Sequence, residues 1–289
     1  MAEFLISAFA DEGGKTIEEQ IDACKENNIT HIELRGINGK NISDFSENEA
    51  KELRKVLDDA GMGVSAIGSP FGKIEITDDF GPHFELFKKS VENACILGTE
   101  NIRMFSFYFT KGESYSDYRD EVFERLNKMA EYSLKSGIRC CLENEKGIYG
   151  DNAERSLDLL SNFKGKLFGV FDPANFIQCG QETVPAYEML KDYILYLHIK
   201  DCRKDTGFVV PSGYGDGHIK EILSEFKKKD GKRFLTIEPH LKIFDGLGAL
   251  EKKGGTFDKL KNSSEFTYST NREAFKAAAD ALFAILDEI

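Results

Sequence analysis

Eight short apolar runs, each followed by a helical pattern, recur along this chain, and few folds accommodate that rhythm. The runs are Phe4–Phe9, His31–Arg35, Val64–Gly68, Asn101–Phe105, Arg139–Leu142, Leu167–Phe171, Ile194–Ile199 and Arg233–Ile237. Their spacing, roughly 30 residues, is that of a strand with its crossover helix. Between them, Thr16 with Glu19 and Ser46 with Glu49 form capping boxes ahead of apolar stripes. Gly61 closes the second helix, and Pro82 suits the first turn of the third. Further helices are predicted over Tyr115–Leu134, Ala153–Leu160, Val184–Lys191, Ile219–Phe226 and Arg272–Leu286. Short apolar strands with crossover helices imply a parallel sheet covered on both faces. The predicted fold class is α/β, a single-domain closed (β/α)8 TIM barrel over residues 1–289. An open doubly wound sheet is the competing arrangement, but no Gly-x-Gly-x-x-Gly follows the first strand.

Four strand ends carry ionisable groups that their apolar context does not explain: Leu142-Glu143-Asn144-Glu145, Val170-Phe171-Asp172-Pro173, Tyr196-Leu197-His198-Ile199-Lys200-Asp201 and Thr236-Ile237-Glu238-Pro239. A carboxylate delivered by a buried strand is costly unless positive charge meets it. In a barrel the C-terminal strand ends converge over the axis. Glu143, Asp172, His198 and Glu238 are therefore expected to bind one divalent ion, Mn, Mg, Co or Zn. Taken singly, each acid also reads as a cap on the next helix or a lysine's partner. Their shared topological position favours the joint site.

Strand alternation sorts the neighbours. Lys200 shares the face of His198, Glu145 that of Glu143, and His240 that of Glu238, so these three border the ion or the substrate. Glu33 and Arg35 lie on one face of the second strand and reach the same mouth, to hold one another or the substrate. Arg203 is placed to bind a substrate hydroxyl or phosphate, or to pair with Asp201 or Asp205; Asn175 is a further polar candidate. Phe71 and Phe107 are candidate pocket walls, whereas His31 reads as a bottom-face or packing residue and His83 and His218 as peripheral.

A net charge of −12 and a pI near 5.1 argue against broad nucleic-acid binding. The six cysteines form no Cys-x-x-Cys pair and read as reduced thiols. No stretch approaches a transmembrane span and no signal peptide is apparent, so a cytoplasmic protein without a membrane partner is expected. No strong glycine-rich phosphate cradle appears, and no organic cofactor is predicted. The long segment 241–271, with Gly246, Gly248, Gly254 and Gly255, reads as a lid, a subunit contact or a surface insertion.

The ordered set His31-Ile32-Glu33-Leu34-Arg35-Gly36, Leu142-Glu143-Asn144, Phe171-Asp172-Pro173-Ala174-Asn175, His198-Ile199-Lys200-Asp201 and Ile237-Glu238-Pro239 resembles the xylose isomerase-like TIM-barrel superfamily, within it the sugar phosphate isomerase/epimerase group. The resemblance implies that Glu143, Asp172, His198 and Glu238 are the metal tetrad. In the ketose 3-epimerase branch the residues matching Glu143 and Glu238 are also an acid/base pair on opposite substrate faces, and Arg203 resembles that branch's substrate-binding arginine. That branch carries a histidine three residues after its metal aspartate, where this chain has Asn175. The implied activity is metal-dependent isomerisation or epimerisation of a sugar, sugar phosphate or related polyol through an enediolate, in a homodimer or homotetramer. Other readings are an inosose-like dehydratase, an endonuclease IV-like phosphodiesterase, for which the five histidines are few, and a noncatalytic metabolite-binding barrel.

Overall fold

The computed structural model describes residues 1–109, 112, 114–250 and 265–289. Its eight principal strands are β1 (Glu3–Ala8), β2 (His31–Leu34), β3 (Gly63–Gly68), β4 (Asn101–Met104), β5 (Arg139–Glu143), β6 (Leu167–Phe171), β7 (Ile194–Ile199) and β8 (Lys232–Ile237). All pair in parallel, each with its sequence neighbour, and β1 pairs with both β8 and β2 to close the barrel. The predicted fold class is the observed one.

Helix boundaries follow local chemistry. Both capping boxes form, at Thr16 and Ser46, opening helices Ile17–Glu26 and Glu47–Ala60. Gly61 ends the latter in a left-handed conformation, φ 68°. Asp79 caps the third helix, Phe80–Leu97, so Pro82 lies inside its first turn. The expected helix at Tyr115–Leu134 divides into a 3-10 turn, Tyr115–Tyr118, and an α-helix, Arg119–Leu134. A short helix, Pro173–Gln178, follows β6 directly; the sequence reading missed it because its apolar pattern is only six residues long. Strand β2 stops at Leu34 because Gly36–Ile37 turns away to pair with Lys40–Asn41, which frees Arg35 from the sheet.

Two apolar layers hold the barrel. The larger lies between sheet and helices and includes Leu34, Ile102, Leu142, Leu197 and Ile237 with Val91, Leu126 and Phe275. The smaller, inside the barrel, comprises Ala66, Cys141, Val170 and Tyr196. It plugs the interior below the polar residues at the C-terminal strand ends. The six cysteines are free thiols, and among the described residues no helix is long and apolar enough to cross a membrane. Residues 251–264 of the long segment 241–271, with Gly254 and Gly255, lie outside the described residues.

Candidate metal centre

Inward-facing positions at the C-terminal ends of β5 to β8 bring Glu143, Asp172, His198 and Glu238 together, with one ligand atom from each within 4.8 Å of the others. All four are buried. His198 Nδ1 lies 3.2 Å from Glu143 Oε1 and 3.6 Å from Glu238 Oε2. Its Nε2 faces the other way, 3.2 Å from Glu33 Oε2. A carboxylate on the far nitrogen fixes the ring and directs Nδ1 into the cluster. Asp172 divides its two oxygens. Oδ1 accepts the Asn175 N–H at 2.9 Å and caps helix Pro173–Gln178, while Oδ2 is directed to the cluster. Helix cap and cluster member are thus the same residue, and the two readings of this acid are compatible.

Charge in the site is unbalanced. Six buried carboxylates, Glu12, Glu33, Glu143, Glu145, Asp172 and Glu238, surround three buried Lys and Arg cations, Arg35, Arg103 and Lys200, and the His198 imidazole. Burial pushes Glu12 up to about 8, with Arg35 opposing and Asp11 and Glu238 adding to the rise. Burial likewise raises Asp172, against the pull of Lys200 and with the repulsion of Glu238 and Glu143. Burial disfavours charge on His198, but Glu143 and Glu33 overcome it and hold the imidazole up at about 10. Burial also works against the Glu238 carboxylate, yet Lys200, His240, His198 and Arg35 keep it well below the usual range. The site therefore retains protons where cations are short.

Two atoms show where a cation fits. Asp172 Oδ2 and His198 Nδ1 are buried without a directed hydrogen bond. Lys200 Nζ stands 2.7 Å from Asp172 Oδ2 at an unfavourable angle, while donating to Glu238 Oε2 at 2.8 Å. Three carboxylates and one imidazole suit a divalent ion of the Mn, Mg, Co or Zn type.

Above the cluster opens a cavity of 270 Å³. Of the residues singled out from sequence, Arg35, Glu143, Glu145, Lys200, Glu238 and His240 line it. Arg35 is saturated: Asp11 and Glu12 accept from Nε and Nη2 at 2.9–3.0 Å, and Glu238 Oε1 accepts from Nη1 at 3.3 Å. Its guanidinium packs on Phe9 and Phe244. Glu145 pairs with Lys73 at 3.2 Å. His240 has φ 44° and leaves both ring nitrogens without a directed hydrogen bond.

The remaining candidates lie elsewhere. Glu33 does not line the cavity; it accepts from Tyr196 Oη and holds His198, and its partner is not Arg35. Asn175 supports from behind, donating Nδ2 to Glu143 Oε1 at 3.1 Å and to the Asn144 carbonyl at 2.9 Å. Arg203 is directed away from the cavity and pairs with Glu265, with neither Asp201 nor Asp205. Phe71 and Phe107 are buried in an aromatic core with Phe80 and Phe87, and Phe105 lines the cavity instead. His31 packs on Phe234, His83 accepts from the Gly72 N–H, and His218 precedes a helix at the surface.

Sequence reasoning missed Arg103, Asp11, Glu12 and Lys73. Arg103 had a signal: a cation in the middle of the apolar run Asn101–Phe105 has to face the barrel interior. Asp11 and Glu12 sit in a 3-10 turn, Ala10–Glu12, and Lys73 in a loop, where strand alternation gives no direction.

The chain belongs to the xylose isomerase-like TIM barrel family, whose model matches residues 21–253. No curated protein matches the sequence significantly. Among solved structures, the chain is similar to a probable 3-DHS dehydratase, AsbF, from Bacillus anthracis, with a TM-score of 0.71 at 18% identity over 98% of this chain and 99% of that one. It is also similar to an L-ribulose 3-epimerase, with a TM-score of 0.70 at 17% identity over 100% and 95% of the two chains. The 3-keto-D-glucoside 4-epimerase YcjR from E. coli gives a TM-score of 0.69 at 13% identity over 99% and 100%. At these identities the likeness concerns the fold.

Proposed function

We propose that the protein is a divalent-metal-dependent isomerase or epimerase that moves a proton next to a carbonyl in a sugar, sugar phosphate or related polyol, through an enediolate. One observation carries this reading. Glu143 and Glu238 line the cavity, whereas Asp172 and His198 do not, so two of the four cluster members reach the space a substrate would fill. Glu143, Asp172, His198 and Glu238 would hold the ion, which when bound supplies positive charge that polarises the substrate carbonyl. Glu143, steadied by Asn175, or Glu238, steadied by Arg35 and Lys200, takes the carbon-bound proton. Return from the opposite face to the same carbon inverts it; delivery to the neighbouring carbon moves the carbonyl. Phe105 and Phe244 give the cavity its apolar wall. The family and its neighbours, two epimerases among them, support the class.

The test is solvent exchange in deuterated water by the metal-replete protein, against ketoses, their phosphates and inososes. Label should enter beside the carbonyl of at least one compound, and Glu143→Gln and Glu238→Gln should each abolish it. No exchange with any compound while the ion is bound would overturn the reading.

Lys200 favours a second reading, dehydration. A carboxylate takes the proton from one carbon, the C–O bond on the next breaks, and the Lys200 ammonium, which lines the cavity, protonates the departing hydroxyl to water. Structural similarity to a probable dehydratase supports it. Loss of water from the labelled compound, rather than a changed hydroxyl or carbonyl position, distinguishes it.

A further inference from the structure

Six lysine and arginine side chains line the cavity: Lys15, Arg35, Lys40, Lys73, Arg103 and Lys200. Two stand at the exposed mouth with their own acids, Lys15 with Asp245 and Lys40 with Glu49. Arg35 has all three nitrogens engaged, Lys200 lies between Asp172 and Glu238, and Lys73 faces Glu145. Arg103 differs. Its Nη1 donates to the Ser69 carbonyl at 2.7 Å, and its Nε faces two acids, Glu143 Oε2 at 3.2 Å and Glu33 Oε1 at 3.7 Å. Its Nη2 has no partner among the described residues, although the side chain is only 5% exposed.

The surroundings keep that nitrogen open. Gly68 lines the cavity beside it, and a Cβ there would stand 3.4 Å from Nη2 and 2.6 Å from the Phe9 ring. The guanidinium lies 4.6 Å from the Phe105 ring centroid, and Lys73 Nζ lies 4.2 Å from the same centroid. Two cations over one aromatic ring, beside an unused planar donor, form a setting for an anion. The free N–H of Nη2 offers a carboxylate oxygen one charge-assisted hydrogen bond, stronger than the bond it would make to a neutral hydroxyl.

We infer that the substrate carries a carboxylate seated on Arg103 Nη2, close to its reacting carbons. The inference rests on the isomerase or epimerase reading and specifies its substrate as a sugar acid or a similar hydroxy or keto acid. Position argues for carboxylate over phosphate. The same guanidinium reaches Glu143, a proposed base, so a group bound at Nη2 lies within a few bonds of the carbon that loses its proton. A terminal phosphate would extend toward Lys15 and Lys40 at the mouth. A cavity of 270 Å³ is also small by the standard of ligand sites, about 300–1,000 Å³, and suits a single sugar acid.

Calorimetry on the metal-replete protein tests this with matched pairs: hexuronates against hexoses, aldonates against alditols, and hexose 6-phosphates against hexoses. At least one carboxylate should bind ten-fold or more tightly than its neutral partner, and Arg103→Gln should remove the preference with metal still bound, while Arg103→Lys restores part of it. Equal affinity within every acid–neutral pair, binding by no acid, or a preference that survives Arg103→Gln overturns the inference. So does a preference for phosphates over carboxylates. The wild-type comparison decides the question even if the Arg103 variants fail to fold. Binding of an acid through Arg103 without solvent exchange would sink the isomerase or epimerase reading alone; exchange into neutral sugars only would sink the carboxylate and leave that reading standing.

Discussion

Asp172 shows how much one residue of this barrel is asked to do. Its Oδ1 caps helix Pro173–Gln178, its Oδ2 faces the cluster, and its backbone is tied twice to the Asn144 side chain, through N–H to Oδ1 and carbonyl to Nδ2, each at 2.9 Å. These roles separate by substitution. An asparagine keeps an oxygen for the cap and loses the charge; an alanine loses both. Asp172→Asn should therefore stay within about 1 kcal/mol of the parent in metal-free unfolding, whereas Asp172→Ala should cost a further ~1 kcal/mol for the lost cap. Both should lose the ion in a metal titration. Metal binding retained by Asp172→Asn would remove this carboxylate from the ligand set. Glu33 illustrates the complementary case, a residue that never reaches the cavity yet fixes the orientation of His198.

At the scale of elements, one buried acid ties a loop to the tip of β7, beside the pairing of Asp201–Cys202 with Val209–Val210. Asp201 accepts backbone N–H groups from Cys202, Gly213, Gly215 and Gly217 at 2.8–3.1 Å. It pulls the loop after Val209–Val210 against the strand end that carries His198 and Lys200. Glycine is required where the loop comes closest: a Cβ on Gly215 would stand 2.2 Å from Asp201 Oδ1. Asp201→Ala leaves four N–H groups without their acceptor and should cost about 3–5 kcal/mol in chemical denaturation. Asp201→Asn should recover part of the loss. A change below about 0.5 kcal/mol would mean that other contacts hold the loop.

For the whole molecule, the excess of buried carboxylate makes a cation part of the folded state's stability. An ion held at a hundred times its dissociation constant adds about 2.7 kcal/mol, and for a chain of this size the unfolding midpoint should rise by about 4–5 °C. Adding Mn, Mg, Co or Zn before thermal unfolding measures this, and the rise should vanish with a chelator. A midpoint unmoved by all four would leave the cluster without an ion. The eight-fold alternation of apolar run and helix, the capping boxes at Thr16 and Ser46, and the strand-end positions of Glu143, Asp172, His198 and Glu238 were all legible in the sequence. Each depends on local periodicity, and a closed barrel turns position along a strand into position at the mouth. Partners were another matter. Arg35 went to Asp11, Glu12 and Glu238 rather than Glu33, and Arg203 turned outward to Glu265. Arg103 stayed beside Glu143 with one nitrogen unused. Long charged side chains take their partners from whatever the closed barrel brings within a few ångströms, across separations such as the 203 residues between Arg35 and Glu238. The sequence by itself determined the fold and the level at which the polar groups gather; only the tertiary structure decided which charges neutralise one another and which is left to meet a ligand, because Coulomb energy depends on distance in space.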